Sequence, residues 1–211
     1  MIWFMEELLR MEADIKYFVG IKDRSYQRWL MDELLKILEE AEFLFGPRDR
    51  SYELLEPRIT ERALGQAFEV APRKMRLYLT SDAKTRSSAS YELAHEVVHM
   101  LSPVNWGEAT MLEEGLGTYF SHKYVKREYG IDYDGVIYPH NHGPALRAVS
   151  TLLAKNEFLI KELRVHQPVI SKIDETLLVE VGGVEPDLAR ILSADFETYD
   201  GKTPRWHRAL F

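Results

Sequence analysis

Ser90-Tyr91-Glu92-Leu93-Ala94-His95-Glu96-Val97-Val98-His99-Met100-Leu101 decides how the rest of the chain is read. On a helix, His95 and His99 lie four residues apart, one above the other on a single face. Two imidazoles so placed are close enough to share one metal ion. Glu96 leans to the same side, where it can reach a water on that metal. Leu93, Val97, Met100 and Leu101 fall mostly on other faces and are expected to be buried. The helix would then carry core on one side and chemistry on the other.

With 7 histidines and 23 glutamates in 211 residues, this five-residue pattern arises by chance in roughly one such chain in forty. It gains weight only if a third ligand follows. After His99 the chain turns at Ser102-Pro103, and a second helix is expected from near Thr110. Thr110-Met111-Leu112-Glu113 reads as a capping box, with the Thr hydroxyl on the Glu113 N–H and the Glu113 side chain reaching back. Glu113 is thereby assigned a structural role, and Glu114 is left free in the first turn. Gly115 and Gly117 follow. Glycine inside a helix costs about 1 kcal/mol, so two so close together imply the tight approach of another backbone, as a metal helix lying against Glu114 requires. Gly130 is expected to stop the helix.

The pattern His95-Glu96-Val97-Val98-His99, then fourteen residues, then Glu114 within Leu112-Glu113-Glu114-Gly115-Leu116-Gly117-Thr118-Tyr119-Phe120, resembles the gluzincin zinc peptidases. The second string looks most like the Glu-Gly-aromatic helix of the M1 aminopeptidases. The gap between motifs is shorter here, so the resemblance is to the clan's pattern, over roughly residues 88 to 125. It implies a Zn2+ cofactor held by His95, His99 and Glu114, with Glu96 as general base in peptide-bond hydrolysis. It also implies a Tyr or His after the third ligand as transition-state donor. The thermolysin branch has Asp where this chain has Thr118. No exopeptidase signature is visible upstream, so aminopeptidase specificity does not transfer. Metzincins place Gly and His where this chain has Ser102 and Asn105, and deformylase-type sites need a cysteine, of which there is none. Asp132 or Asp134 is the alternative third ligand.

Zinc takes N and O ligands tetrahedrally and keeps a position open in catalytic sites. Two His and one Glu leave the ion net positive, able to acidify a water whose proton Glu96 would accept. Thr118 and Ser121, on the Glu114 face, are candidates for contacts behind the ligands. The loop Tyr129 to Pro144 is rich in Gly, Pro, Tyr and His. Tyr138, His140 and His142 are its candidate oxyanion donors. His122 and His166 are expected away from the metal.

The expected fold class is α+β: zincin-like, mainly helical, with a small mixed β-sheet flanking the metal helix. One domain over 1–211 suits the length, divided into a helical pair (1–48), the sheet plus metal helices (49–130) and a C-terminal helical part (131–211). Apolar residues recur at helical spacing over 2–19 and again at Trp29, Leu30, Leu34, Leu35, Leu38, Phe43 and Phe45. Strands are expected over 52–60, weakened by Pro57, over 67–71, and over Arg76 to Thr80. The last is read either as the rim that pairs with an extended substrate or as an ordinary sheet strand. Ser88 or Ser90 is expected to cap the metal helix. One helix is expected from Ala145 to about Val165, then short ones over 174–181 and 186–194. The basic tail 202–208 is expected to dock on the acidic body.

A net charge of −7 without a Lys/Arg-rich run argues against a general nucleic-acid binder. The absence of cysteine fits a reducing compartment. No apolar run approaches a membrane span, and residues 1–19 lack the pattern of a signal peptide. The expectation is a cytoplasmic zinc peptidase acting on a peptide or protein substrate, with no nucleic acid and no membrane; oligomeric state is left open. Two rivals stand beside it: a catalytically inactive zinc-binding interaction protein with a zincin fold, and a chance motif in a helical protein.

Overall fold

Helix α1 (Arg24–Phe45) buries Leu30, Leu34, Ile37, Leu38, Ala41, Leu44 and Phe45 along one stripe, together with the charged Glu33. Leu35 and Phe43, expected in that stripe, are 48% and 62% exposed; three-and-four spacing leaves them just off its edge. The computed structural model describes residues 24–60, 66–105, 107–132 and 141–199. The helix expected over 2–19 and the basic tail lie outside the described residues.

Four strands follow: β1 (Glu53–Leu54), β2 (Arg58–Ile59), β3 (Gln66–Ala71) and β4 (Lys74–Leu79). β3 and β4 form an antiparallel hairpin, with Arg73 at φ 59° in its two-residue turn. β1 and β2 pair in parallel with the two ends of β4, Glu53 opposite Lys74 and Ile59 opposite Leu79. The single strand expected over 52–60 is therefore two short pieces. Pro57 sits in the gap, where it has no N–H to offer a ladder. The sheet is mixed and small. β4 lies inside it, flanked on both sides, so it is not the rim strand. β3 pairs with β4 alone among the described strands.

Helix α2 (Arg86–Leu101) packs on β3, β4, α1 and α3 (Met111–Tyr129). Its N-cap is Thr85, in a reciprocal capping box with Ser88. Ser90, the other expected cap, is instead buried and donates its hydroxyl to Glu33 at 2.6 Å. Leu93, Ala94, Val97, Val98, Met100 and Leu101 are all buried. Gly130 ends α3 at φ 67°, the left-handed conformation that favours glycine.

The helix expected over 145–165 is two: α4 (His142–Leu153), with Pro144 in its first turn, and α5 (Leu159–Leu163). Asn156 breaks it. Its side-chain oxygen accepts from the Phe158 N–H at 3.0 Å, and its amide donates to Glu162. A local bond of this kind competes with the helix ladder. A 3-10 turn at Ile170–Lys172, α6 (Glu175–Glu180) and α7 (Pro186–Leu192) complete the elements of the described residues. Arg164 ties the far ends together. Its guanidinium donates to the carbonyls of Phe45, Gly46, Pro47, Leu101 and Pro168. One continuous buried core runs from Leu30 to Phe196. No helix among the described residues is long and apolar enough to cross a membrane.

Candidate metal centre

His95 and His99 stand one turn apart on α2, with ring centroids 5.2 Å apart. The first turn of α3 faces them. Gly117 makes that approach possible: a Cβ there would sit 3.1 Å from the His95 ring. Gly115 serves another neighbour, since a Cβ there would meet the Ala145 carbonyl oxygen of α4 at 2.5 Å. The expected close approach is thus real at both glycines, but only Gly117 faces the metal helix, and it faces a side chain rather than backbone.

Glu114 reaches both imidazoles. Its Oε2 lies 3.3 Å from His95 Nε2 and its Oε1 lies 3.6 Å from His99 Nε2. One ligand atom from each of the three residues falls within 4.8 Å of the others. Two atoms each about 2.0–2.1 Å from a tetrahedral zinc lie roughly 3.3 Å apart. The two Glu114–imidazole separations are close to that spacing, so the group could hold a metal ion.

Glu113 departs from the expected role. Thr110 Oγ1 accepts from the Glu113 N–H at 3.4 Å, which is half of the capping box. The Glu113 carboxylate does not reach back. It is fully buried, and its Oε1 accepts from His99 Nδ1 at 3.0 Å. A proton held on Nδ1 leaves the Nε2 lone pair facing Glu114, the tautomer a metal ligand needs. Its Oε2 has no hydrogen-bond partner among the described residues. Both acids sit in the first turn of α3, where the helix dipole favours negative charge.

Glu96 is buried, and its carboxylate has no hydrogen-bond partner among the described residues. Burial pushes its pKa up, opposed by His99 and His95. A raised pKa and an uncommitted carboxylate suit a group that must take and return a proton. Burial works against charge on His99, but Glu114 and the bond to Glu113 outweigh it and lift the imidazole to about 10. Burial likewise opposes charge on Glu114, yet His99, His95 and His142 hold it down to about 2. Without a metal, a proton on His99 occupies the charge role that a cation would take.

Of the candidate donors, His142 is at the site. Its Nδ1 lies 3.9 Å from Glu114 Oε2, and its ring centroid is 5.9 Å from that of His95. Tyr138 and His140 lie outside the described residues, as does Asp134. Asp132 pairs with Lys126 on the surface and does not join the cluster. Thr118 and Ser121 do not stand behind the ligand side chains. Their hydroxyls donate to carbonyls of their own helix, at Glu114 (3.0 Å) and Gly117 (2.7 Å). His122 packs instead on Tyr91, ring centroids 5.8 Å apart.

Two residues at the site carried no sequence signal of their role. Glu113 was masked by a plausible local cap. Phe196 packs its ring 4.8 Å from that of His142, across more than fifty residues, beyond the reach of any periodicity. Glu92 also stands on the α2 face of His95 and His99. It holds the end of β4, accepting from the Thr80 N–H and hydroxyl at 2.6 Å each.

Comparison of the chain with protein-family models, with curated proteins and with solved structures found no match.

Proposed function

We propose that this chain is a zinc-dependent peptidase of zincin fold and gluzincin type, acting on a peptide or protein substrate. The observation that carries the reading is the Glu114 carboxylate placed 3.3 and 3.6 Å from the two imidazoles of His95-Glu96-Val97-Val98-His99. The buried Glu113 behind His99 supports it, because carboxylates in that place orient metal-binding imidazoles. His95, His99 and Glu114 would hold the ion. When bound, zinc supplies a Lewis acid that polarises a carbonyl and lowers the pKa of water.

The protein's own groups do the rest. Glu96 takes the proton of the attacking water and passes it to the leaving amine, as its raised pKa favours. His142 donates a hydrogen bond to the oxyanion that develops on the scissile carbonyl. β3, with one side unpaired among the described strands, offers backbone groups to an extended substrate. β4 cannot, being flanked on both sides.

The test measures zinc content and cleavage of denatured proteome peptides by the wild type and Glu96→Gln. One zinc in each, with cleavage by the wild type alone, is the expected result. Zinc in both with no cleavage by either moves the reading to the zinc-binding interaction protein. No stoichiometric zinc, unaltered by His95→Ala, removes it.

A further inference from the structure

Residues 194–199 run from the end of α7 across the N-termini of α3, which carries Glu114, and α4, which carries His142. At α3, the Ala194 carbonyl accepts from the Met111 N–H at 2.9 Å, and Thr110 forms an antiparallel bridge with Asp195. The Phe196 N–H donates to the Ala109 carbonyl at 3.0 Å. The run is tightened by Asp195, whose Oδ1 accepts from the Thr198 N–H and hydroxyl. At α4, Asn141 stands at the N-cap but makes no side-chain cap to its own helix. Its amide donates instead to the carbonyls of Phe196 (2.6 Å) and Tyr199 (3.1 Å).

This strap therefore binds the residue just before His142 and the residues three to five positions before Glu114. Phe196 fills the space between. It is 8% exposed, and its ring lies 4.8 Å from that of His142, tilted by 58°. The strap fixes the His142 backbone through Asn141 and its ring through Phe196.

We infer that Phe196 is a positioning residue that holds the His142 imidazole over Glu114, and that the 194–199 strap couples α4 to the third-ligand helix. Its catalytic consequence rests on the peptidase reading above; its structural content does not. Aromatic packing limits the ring to one orientation, and a donor misplaced by about 1 Å loses on the order of 100-fold in rate.

The experiment compares the wild type with Phe196→Leu, which keeps an apolar side chain, and Phe196→Ala. The first readout is imidazole NMR on 15N-histidine-labelled, metal-free protein, with His142 assigned by its loss in His142→Ala. One tautomer in the wild type and an averaged signal in Phe196→Leu, with the other histidines unmoved, is the expected result. An unaltered His142 signal in both Phe196 variants overturns the inference. The second readout is kinetics of the zinc-loaded protein. Phe196→Leu is expected to lower kcat about 10-fold at unchanged KM and zinc affinity, and to cause no further loss when added to His142→Ala. Full additivity of the two overturns the catalytic part while the peptidase reading stands. A wild type that cleaves nothing defeats the peptidase reading, and the NMR result still decides the strap.

Discussion

Helices α2 and α3 are cross-linked twice by buried glutamates, and the two links behave differently. In one, Glu33 of α1 accepts at a single oxygen, Oε1, from Ser90 (2.6 Å), Tyr124 (3.0 Å) and Tyr129 (3.4 Å). Ser90 belongs to α2 and both tyrosines to α3. Three hydroxyls saturate this oxygen, and burial together with Glu33 pushes the Tyr124 phenol far up, so it stays protonated. In the other link, at the candidate metal centre, Glu113 has an orphaned oxygen, Glu96 has no hydrogen-bond partner and Glu114 sees only imidazoles, all among the described residues. Three acids stand together here without hydroxyl or amide donors among the described residues. A saturated carboxylate holds helices together; undersaturated ones clustered around two imidazoles call for a cation.

The comparison breaks most visibly at Glu96. Glu96→Gln is expected to cut kcat by about 10²–10⁴-fold with zinc content and Tm unchanged. A variant retaining more than a tenth of the activity would mean that the base is elsewhere. At Glu113 the expected effect falls on the metal. Glu113→Ala should weaken zinc about 10–100-fold in a chelator competition, while Glu113→Gln, whose amide oxygen can still accept from Nδ1, stays near the wild type. Equal loss in both would point to charge rather than orientation.

Glu33 should give the opposite profile. Glu33→Ala takes away the acceptor that Tyr124, Ser90 and Tyr129 share, leaving Ser90 and Tyr129 bonded to each other at 2.9 Å, and is expected to cost about 1–3 kcal/mol of stability, read by urea denaturation. Zinc affinity should not move. A loss of zinc in this variant would show that the two links are coupled through α2 and α3.

The smallest effect is the pH profile of the zinc-free protein. Glu114, held down to about 2, contributes stability above the ordinary carboxylate value of 4.5 that is lost as pH falls toward 2. His99, lifted to about 10, contributes stability below the ordinary 6.5 that is lost as pH rises toward 10. The two describe one ion pair, so Tm should peak between pH 4.5 and 6.5 and fall on both sides. Zinc competes with protons for the same nitrogens, so the alkaline fall should vanish when zinc is added. A chelated protein whose Tm climbs steadily to pH 9 would contradict the pairing.

Whatever depends on positions within a few residues of each other could be read from the chain alone. The one-turn spacing of His95 and His99 follows from helix geometry, as do the Thr110 cap, the Gly130 stop and Pro144 in a first turn. Glu114 as the residue facing the imidazoles followed from its place one step past the cap. Where two local explanations competed, the sequence could not choose. Thr110-Met111-Leu112-Glu113 satisfies a capping box, yet the Glu113 carboxylate goes to His99, because a buried imidazole N–H also needs an acceptor. Pro57 signalled a weak strand but not that its halves would flank the ends of β4 and leave that strand interior. The placing of Phe196 and Asn141 around His142 rests on bonds spanning 54 residues and more. Chain connectivity carries no trace of such contacts; the packing of α7 against the sheetless half of the molecule creates them.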